Sequence, residues 1–206
     1  SAAGIKTPDE LLIHGFVQIK GQKMSKSIGN VITPESVLDR MNGDPDPIRF
    51  YLSHEIPVGR DGDFSWERYE GVYDSKLRNE VGNLLNRVIT LLKKEGGMIG
   101  DVGKGRFISV SFKQYKEAMD AYKLSEALQL AMKIASDSNK YIDACKPWEL
   151  KGKEKIEELS GLAEGLRHLS LALLPFIPST AQEMSKQLGV SYTSKMLQKD
   201  FVVTPD

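Results

Sequence analysis

Apolar residues recur at helical spacing through the chain from residue 66 onward. Over residues 66–94 they are three or four positions apart, which predicts one long helix with a single buried stripe. Ser65 precedes this segment as a helix start, and Gly96-Gly97 follows it as a stop. The residues of the predicted stripe are Tyr69, Tyr73, Leu77, Val81, Leu84, Leu85, Val88 and Leu92.

Further helical patterns follow a glycine-rich segment, residues 98–110, that reads as an irregular connector. They cover residues 112–121, 125–144, 154–174 and 179–188, and the tail from Gly189 shows no clear pattern. Their short connections predict antiparallel neighbours in a helical bundle. In the second pattern, the residues predicted to face inward are Leu128, Ala131, Met132, Ala135 and Ile142.

The first 65 residues have a different pattern. Residues 11–19 are rich in β-forming side chains and predict a strand. Thr33-Pro34-Glu35 combines an N-cap hydroxyl, a proline at the first helical position and an acid in the first turn, and Asp46-Pro47 opens a second helix. The predicted fold is therefore mainly α: a small α/β-like module at residues 1–65, followed by an antiparallel helical bundle at residues 66–206.

Composition narrows the function classes. The 206 residues carry 28 basic and 28 acidic side chains, so any contact with RNA must come from a local patch, and we expect no DNA partner. Cys145 is the single cysteine, the three histidines are scattered, and we expect no metal site. No apolar run approaches the roughly 20 residues of a transmembrane helix. We expect a cytoplasmic protein without a membrane partner.

One segment of five residues has the composition of a phosphate-binding loop. Lys23-Met24-Ser25-Lys26-Ser27 lies between Gly21 and Gly29, and no acidic residue occurs from Leu11 to Pro34. Lysine supplies a mobile positive charge, while serine hydroxyls and backbone N–H groups supply donors. The simpler alternative for a lysine-rich loop is a solvated turn.

A second group of residues has the chemistry of base recognition. Asn79, Asn83, Asn86 and Arg87 lie away from the apolar stripe of the long predicted helix, although asparagine is a mediocre helix former. Amide and guanidinium groups pair well with base edges and phosphates. Trp148 follows a proline at a helix break, where an exposed indole could stack on an unpaired base. The alternatives are a solvated polar face and a buried tryptophan, which is how we interpret Trp66.

The five-residue loop resembles the KMSKS signature of class I aminoacyl-tRNA synthetases at all five positions. In that family the loop closes over ATP during amino-acid activation. The resemblance implies that Lys26 stabilises the pyrophosphate leaving group and that Lys23 assists, with Met24, Ser25 and Ser27 completing the ATP-binding loop. It also implies ATP and Mg²⁺ as cofactors of a full-length enzyme.

Within that class, the predicted bundle is similar to that of methionyl-tRNA synthetases. That family carries Asn-x-x-x-Arg on the first bundle helix and Pro-Trp after a later helix, which match Asn83, Arg87, Pro147 and Trp148. The resemblance implies that Trp148 stacks on a base of the CAU anticodon of methionine tRNA while Asn83 and Arg87 hydrogen-bond to base edges. Residues 50–66 also resemble the family's stem-contact segment.

The chain departs from the family pattern at its start. Only about 22 residues precede the loop, and Ile13-His14-Gly15-Phe16 is not the His-x-Gly-His-type motif that contacts ATP. We therefore expect the C-terminal portion of a methionine–tRNA ligase, inactive without the missing nucleotide-binding domain. Two alternatives stay open: a stand-alone tRNA-binding module, and a fragment of the leucine, isoleucine, valine or cysteine enzyme. An apolar patch at Phe16, Val17 and Ile28 is expected to face the missing domain.

Overall fold

The computed structural model describes residues 4, 6–97 and 111–190 of the chain. Its elements in chain order are β1 (Val17–Ile19), β2 (Gln22–Lys23), α1 (Pro34–Arg40), α2 (Asp46–Glu55), β3 (Gly62–Asp63), α3 (Trp66–Val72), a π-helical segment (Tyr73–Gly82), α4 (Asn83–Lys94), α5 (Phe112–Asp120), α6 (Leu124–Cys145), α7 (Gly152–Leu173) and α8 (Pro178–Gln187). The predicted connector at 98–110 and the tail from 191 lie outside these described residues. The mainly α prediction is confirmed.

The three strands form one small sheet in the order β2-β1-β3. β1 is antiparallel to β2 and parallel to β3. The strand predicted over residues 11–19 is wrong in length, because both partner strands contain only two residues and pair with residues 17–19 alone. Before β1 the chain runs close to the next loop: a Cβ on Gly15 would lie 2.0 Å from the carbonyl oxygen of Arg60, so only glycine fits there.

The helix start predicted at Thr33 is confirmed. Thr33 Oγ1 accepts a hydrogen bond from the backbone N–H of Ser36 at 3.2 Å, which satisfies one of the free donors at the N-terminus of α1. The second predicted start is also correct, since α2 begins at Asp46. These two helices and the sheet surround a small apolar cluster formed by Val37, Tyr51, Phe64 and Tyr69.

Trp66 packs at the edge of this small cluster. Its ring meets that of Phe64 edge-on with centroids 5.3 Å apart, and the Arg40 guanidinium lies 3.9 Å from the Trp66 ring centroid. The interpretation of Trp66 as a packing residue is confirmed. Its surroundings differ from those of Trp148, which is 48% exposed.

A larger core fills the space between the bundle helices. All five residues predicted to face inward from α6 are buried in it, and so are Leu84, Val88 and Leu92 of α4. The helices begin and end within two residues of the predicted bounds. The apolar periodicity therefore identified both the helices and their buried faces.

The long predicted helix is continuous over residues 66–94, but its middle is π-helical rather than α-helical. Its apolar residues Tyr69, Tyr73, Leu77 and Val81 are each four positions apart. On an ideal α-helix each four-residue step drifts by about 40° around the axis, so the stripe would turn away from the core. A π turn contains more than four residues, so four-residue steps drift in the opposite direction there and offset the drift of the α-helical parts.

Two side chains of α2 connect the first part of the chain to the bundle. The Asp46 carboxylate, fully buried, accepts a hydrogen bond from the backbone N–H of Thr180 at 2.6 Å. Arg49 donates from Nε to the carbonyl of Phe176 and from Nη2 to that of Pro175, both at 2.8 Å. These bonds fix α2 against the start of α8 and the turn before it.

Candidate nucleic-acid interface

The end of α6 projects Trp148 toward solvent. Lys146 adopts a left-handed conformation (φ 45°, ψ 62°), and α6 ends before it because the following proline disfavours the α-helical region at residue 146. The chain then turns, and the N–H of Glu149 donates to the carbonyl of Lys146 at 2.8 Å. Pro147 is buried within this turn while Trp148 is exposed. Pro147 therefore anchors the turn, and the indole of Trp148 is left accessible to solvent.

Arg87 of α4 lies beside this indole. Its guanidinium carbon is 5.9 Å from the centroid of the Trp148 ring, within the range of a cation–π contact. Asn83 lies one turn before Arg87 on the same helix and is exposed, as are Asn79 and Asn86. The structure thus brings Arg87 and Trp148 together, with Asn83 one turn away.

A carboxylate completes the group. Arg87 Nη2 lies 2.5 Å from Oδ1 of Asp143 on α6. The sequence analysis missed Asp143, although a signal was present: a negative charge in the last turn of a helix is unfavourable unless a cation accompanies it. The ion pair holds one edge of the guanidinium and leaves its other N–H donors available.

Cys145 is close in sequence to this group, but its thiol is unreactive. Burial raises the pKa of its thiol to about 11, with a further contribution from the nearby negative charge of Glu158. A thiol with this pKa stays protonated at neutral pH and is a poor nucleophile. The group formed by Asn83, Arg87, Asp143 and Trp148 is therefore suited to binding rather than covalent chemistry.

The lysine-rich loop is shaped by a side chain outside the five-residue motif. Asn30 accepts a hydrogen bond from the N–H of Ser25 at 2.7 Å and donates to the carbonyl of Lys23 at 3.3 Å. A turn follows Ser25, whose carbonyl accepts from the N–H of Gly29 at 3.1 Å. The sequence analysis did not identify Asn30, because an asparagine after a glycine is common in any turn.

The two lysines of the loop are exposed. Lys23 Nζ lies 4.8 Å from the centroid of the Phe16 ring, and Lys26 extends from the turn itself. The side chains of Ser25 and Ser27 are joined by a hydrogen bond of 2.8 Å. Met24 is half-buried and lines an apolar cavity of about 450 Å³. The loop therefore presents its cations outward while its apolar residue faces the small cluster.

The apolar patch predicted at the start of the chain is only partly present. Phe16 and Ile28 are exposed, at 58% and 63%. Val17 is half-buried, because it packs against the small cluster. In the part of the chain that the structure describes, no helix is long and apolar enough to cross a membrane.

Comparisons with known proteins identify two family models and several relatives of this chain. A family model described as tRNA synthetases class I (M) matches residues 1–89, and one described as anticodon-binding domain of tRNA ligase matches residues 107–205. The methionine–tRNA ligase of Fusobacterium nucleatum is 37% identical over 204 residues, covering 92% of this chain and 32% of the relative. That of Streptococcus pyogenes serotype M6 is 34% identical over 205 residues, covering 92% and 30%.

A solved structure shows the same fold. Mycobacterium tuberculosis methionyl-tRNA synthetase in complex with methionyl-adenylate matches with a TM-score of 0.81 and 25% identity, covering 98% of this chain and 42% of that chain. The present chain thus spans about a third of the length of the curated relatives it matches.

A KMSKS-type loop on a small sheet, joined to a helical bundle that matches an anticodon-binding model, defines a class I tRNA synthetase. The relatives named above are methionine–tRNA ligases, and the matched structure is a methionyl-tRNA synthetase. The chain belongs to the methionyl-tRNA synthetase family.

Proposed function

We propose that this chain supplies the signature loop and the anticodon-reading surface of a methionine–tRNA ligase, which joins methionine to its tRNA with ATP in the cytoplasm. The observation that carries the proposal is the contact of Arg87 with the exposed ring of Trp148, one turn from Asn83. An unstacked nucleotide offers a base face, a base edge and a phosphate. The indole of Trp148 can stack on the face, and the Arg87 guanidinium and the Asn83 amide can hydrogen-bond to the edge or the phosphate.

In this proposal each residue of the interface has one task. Trp148 stacks on a base of the CAU anticodon, and such stacking contributes about 1–3 kcal/mol per base. Asn83 and Arg87 hydrogen-bond to base edges, which supplies sequence preference. Asp143 fixes the guanidinium in one orientation before the RNA arrives, so that less conformational entropy is lost on binding.

The loop would act on ATP in the same enzyme. As methionine attacks the α-phosphate, negative charge develops on the departing pyrophosphate, and Lys26, assisted by Lys23, stabilises that charge. Serine hydroxyls and the backbone N–H groups of Lys26 and Ser27 add donors, while the N–H of Ser25 is held by Asn30. Within residues 6–97 and 111–190, no three His, Cys, Asp or Glu side chains are grouped to hold a metal.

We further propose that the chain has two functional domains: residues 1–65 act on ATP, and residues 66–206 bind the anticodon. The two apolar clusters support this division, since the smaller one lies mostly before residue 66. Phe50 and Tyr51 are consecutive residues of α2 that belong to different clusters. Phe50 lies in the larger cluster and Tyr51 in the smaller one. The bonds of Asp46 and Arg49 join the two units.

A binding titration tests the anticodon assignment. The chain is titrated with an RNA stem–loop of methionine tRNA carrying CAU and with the same stem–loop carrying a permuted anticodon. We expect tighter binding to CAU at physiological salt. Equal affinity for both RNAs would overturn the assignment to methionine tRNA and would leave only general RNA binding.

A stand-alone binding module is the second candidate, favoured by the contacts of Arg87 with Trp148 and Asp143, which all lie within the helical bundle. ATP–pyrophosphate exchange with methionine separates the alternatives. We expect none from the isolated chain, and exchange when the preceding part of the protein, taken from the same reading frame, is present. If no such part is encoded upstream, the chain is a module that binds tRNA without catalysis.

A further inference from the structure

The π-helical segment ends where the RNA-binding residues begin. Its last turn closes with the N–H of Asn83 donating to the carbonyl of Arg78, five residues earlier, and α4 starts at Asn83 itself. When a helix returns from five-residue to four-residue bonding, the register shifts by one. With the N–H of Asn83 on Arg78, the four-residue register of α4 assigns Leu84 to Glu80, so the carbonyl passed over is that of Asn79, next to Glu80.

A side chain from α6 donates at this junction. Asn139 Nδ2 lies 2.9 Å from the carbonyl oxygen of Glu80, and it also lies 3.1 Å from the carbonyl oxygen of Ala135 in its own helix. Asn139 is half-buried between the helices. Its amide therefore supplies a donor to the π-helical carbonyl from a neighbouring element.

The same face of α6 makes a second contact one turn later. Asp143, four residues after Asn139, pairs with Arg87, seven residues after Glu80. Trp148 then follows the end of α6. Three consecutive features of α6 thus set the interface: one fixes the junction, one orients the guanidinium, and one presents the indole.

We propose that Asn139 is a positioning residue for tRNA recognition: by donating to the Glu80 carbonyl, it fixes the π-to-α junction so that Asn83 and Arg87 face Trp148 before the RNA binds. Without this donor, the junction is free to shift toward uninterrupted α-helix. Each residue after it would then rotate about the helix axis, and the side chains on Asn83 and Arg87 would point elsewhere. This inference rests on the proposed function of the interface.

The test compares two variants that lose the same kind of bond. Asn139→Ala removes the bond at the junction. Ser125→Ala removes a hydrogen bond of 2.7 Å from α6 to the carbonyl of Ser53, near the start of α6 and away from Trp148. We measure the ratio of affinities for the CAU and permuted stem–loops, together with thermal unfolding of each variant. The ratio should fall about fivefold in Asn139→Ala and stay unchanged in Ser125→Ala.

Asn139→Asp adds a variant of the same shape. A carboxylate accepts hydrogen bonds but does not donate, so the ratio of affinities for the two stem–loops should fall in this variant as it does in Asn139→Ala. If the ratio of affinities in the Asn139 variants equals that of the parent, or if it falls equally in Ser125→Ala, the positioning role is wrong. If the parent chain itself does not distinguish the RNAs, the proposed function has failed instead.

A further readout needs no RNA. In a Trp66→Phe background, Trp148 is the single tryptophan, and its fluorescence reports the guanidinium beside it. Asn139→Ala should change its emission and its quenching by acrylamide, whereas Ser125→Ala should not. Unchanged emission in Asn139→Ala would overturn the inference even if the anticodon assignment were correct.

Discussion

Arg87 and Asp143 form an ion pair of 2.5 Å between α4 and α6, directly beside the exposed ring of Trp148. The pair joins the two helices that carry the recognition side chains. It also places a negative charge where an RNA would bind. The ion pair should therefore raise selectivity, because it orients Arg87, and lower affinity, because the charge of Asp143 repels the RNA.

Replacing Asp143 by asparagine separates the two effects. The pair is largely exposed, so the free energy of unfolding should change by less than about 1 kcal/mol. Affinity for both CAU and permuted stem–loops should rise, because a repulsive charge is removed. Their ratio should fall, because Arg87 loses its fixed orientation. Titrations of both RNAs, at low and at physiological salt, measure these changes.

Asp120→Asn is the matched control. Asp120 is an exposed acid of α5 that pairs with Lys116 at 2.5 Å, so its replacement changes the net charge equally at another site. If it raised RNA affinity and lowered the ratio as Asp143→Asn does, the effect would be one of overall charge, and the orienting role of Asp143 would be refuted.

Removing the indole tests the stacking contribution. Trp148→Ala should weaken binding of the CAU stem–loop by about 1–3 kcal/mol, because the base loses its stacking surface. Tyr122→Ala is a suitable control, since Tyr122 is 47% exposed, close to Trp148, and lies in the turn before α6. Equal losses in the two variants would mean that aromatic exposure alone, rather than the position of Trp148, governs binding.

Much of this fold could be predicted from the sequence, because local periodicity determines it. The buried faces of α4 and α6 follow from apolar residues three and four positions apart. The start of α1 follows from Thr33 and the proline after it. The length of β1 could not be predicted in this way, since a strand extends only where partner strands exist: β2 contains two residues, and β3 is more than forty residues away in the chain.

The candidate site was predicted in part for the same reason. Asn83, Arg87 and Trp148 are recognisable from residue type and spacing. Asn139 acts through a contact more than fifty residues away in the chain, so no local pattern reveals it, and the charge of Asp143 in the last turn of α6 signals a cationic partner without identifying Arg87. The π-helical segment could not be predicted from Tyr69, Tyr73, Leu77 and Val81, because residues four positions apart also share a face of an α-helix.

The connection between α2 and the bundle should be measurable as stability. Arg49→Met removes two charged hydrogen bonds to the carbonyls of Pro175 and Phe176, and we expect a loss of about 1–2 kcal/mol in the free energy of unfolding by urea. Arg78→Met, which breaks an exposed pair with Asp74, should cost less than about 1 kcal/mol. If both variants lost the same amount, the bonds of Arg49 would contribute no more than an ordinary surface pair.

The leaving-group role of the loop is tested in the full-length enzyme. Lys26→Ala should lower the rate of adenylate formation far more than it weakens methionine binding, because the lysine interacts mainly with charge that develops in the transition state. Lys20→Ala, an exposed lysine in the turn between β1 and β2, is the control and should change neither quantity. Proportionate losses in rate and binding for Lys26→Ala would assign it to ground-state binding.

Stability should also depend on pH in the alkaline range. Burial raises the pKa of Cys145 from 9.0 to about 11, so the folded chain retains this proton at pH values where the unfolded chain has released it. Deprotonation therefore favours the unfolded chain, and the free energy of unfolding should fall as pH rises from about 9 to about 11. Burial also raises the pKa of Tyr69 to about 12, which adds to the fall above about pH 10.

Urea unfolding of the parent and of Cys145→Ala between about pH 8 and pH 10 isolates the contribution of the thiol, because the free energy of unfolding should decline less steeply in the variant. Parallel declines in the two proteins would show that the thiol is not shielded from solvent as the structure places it.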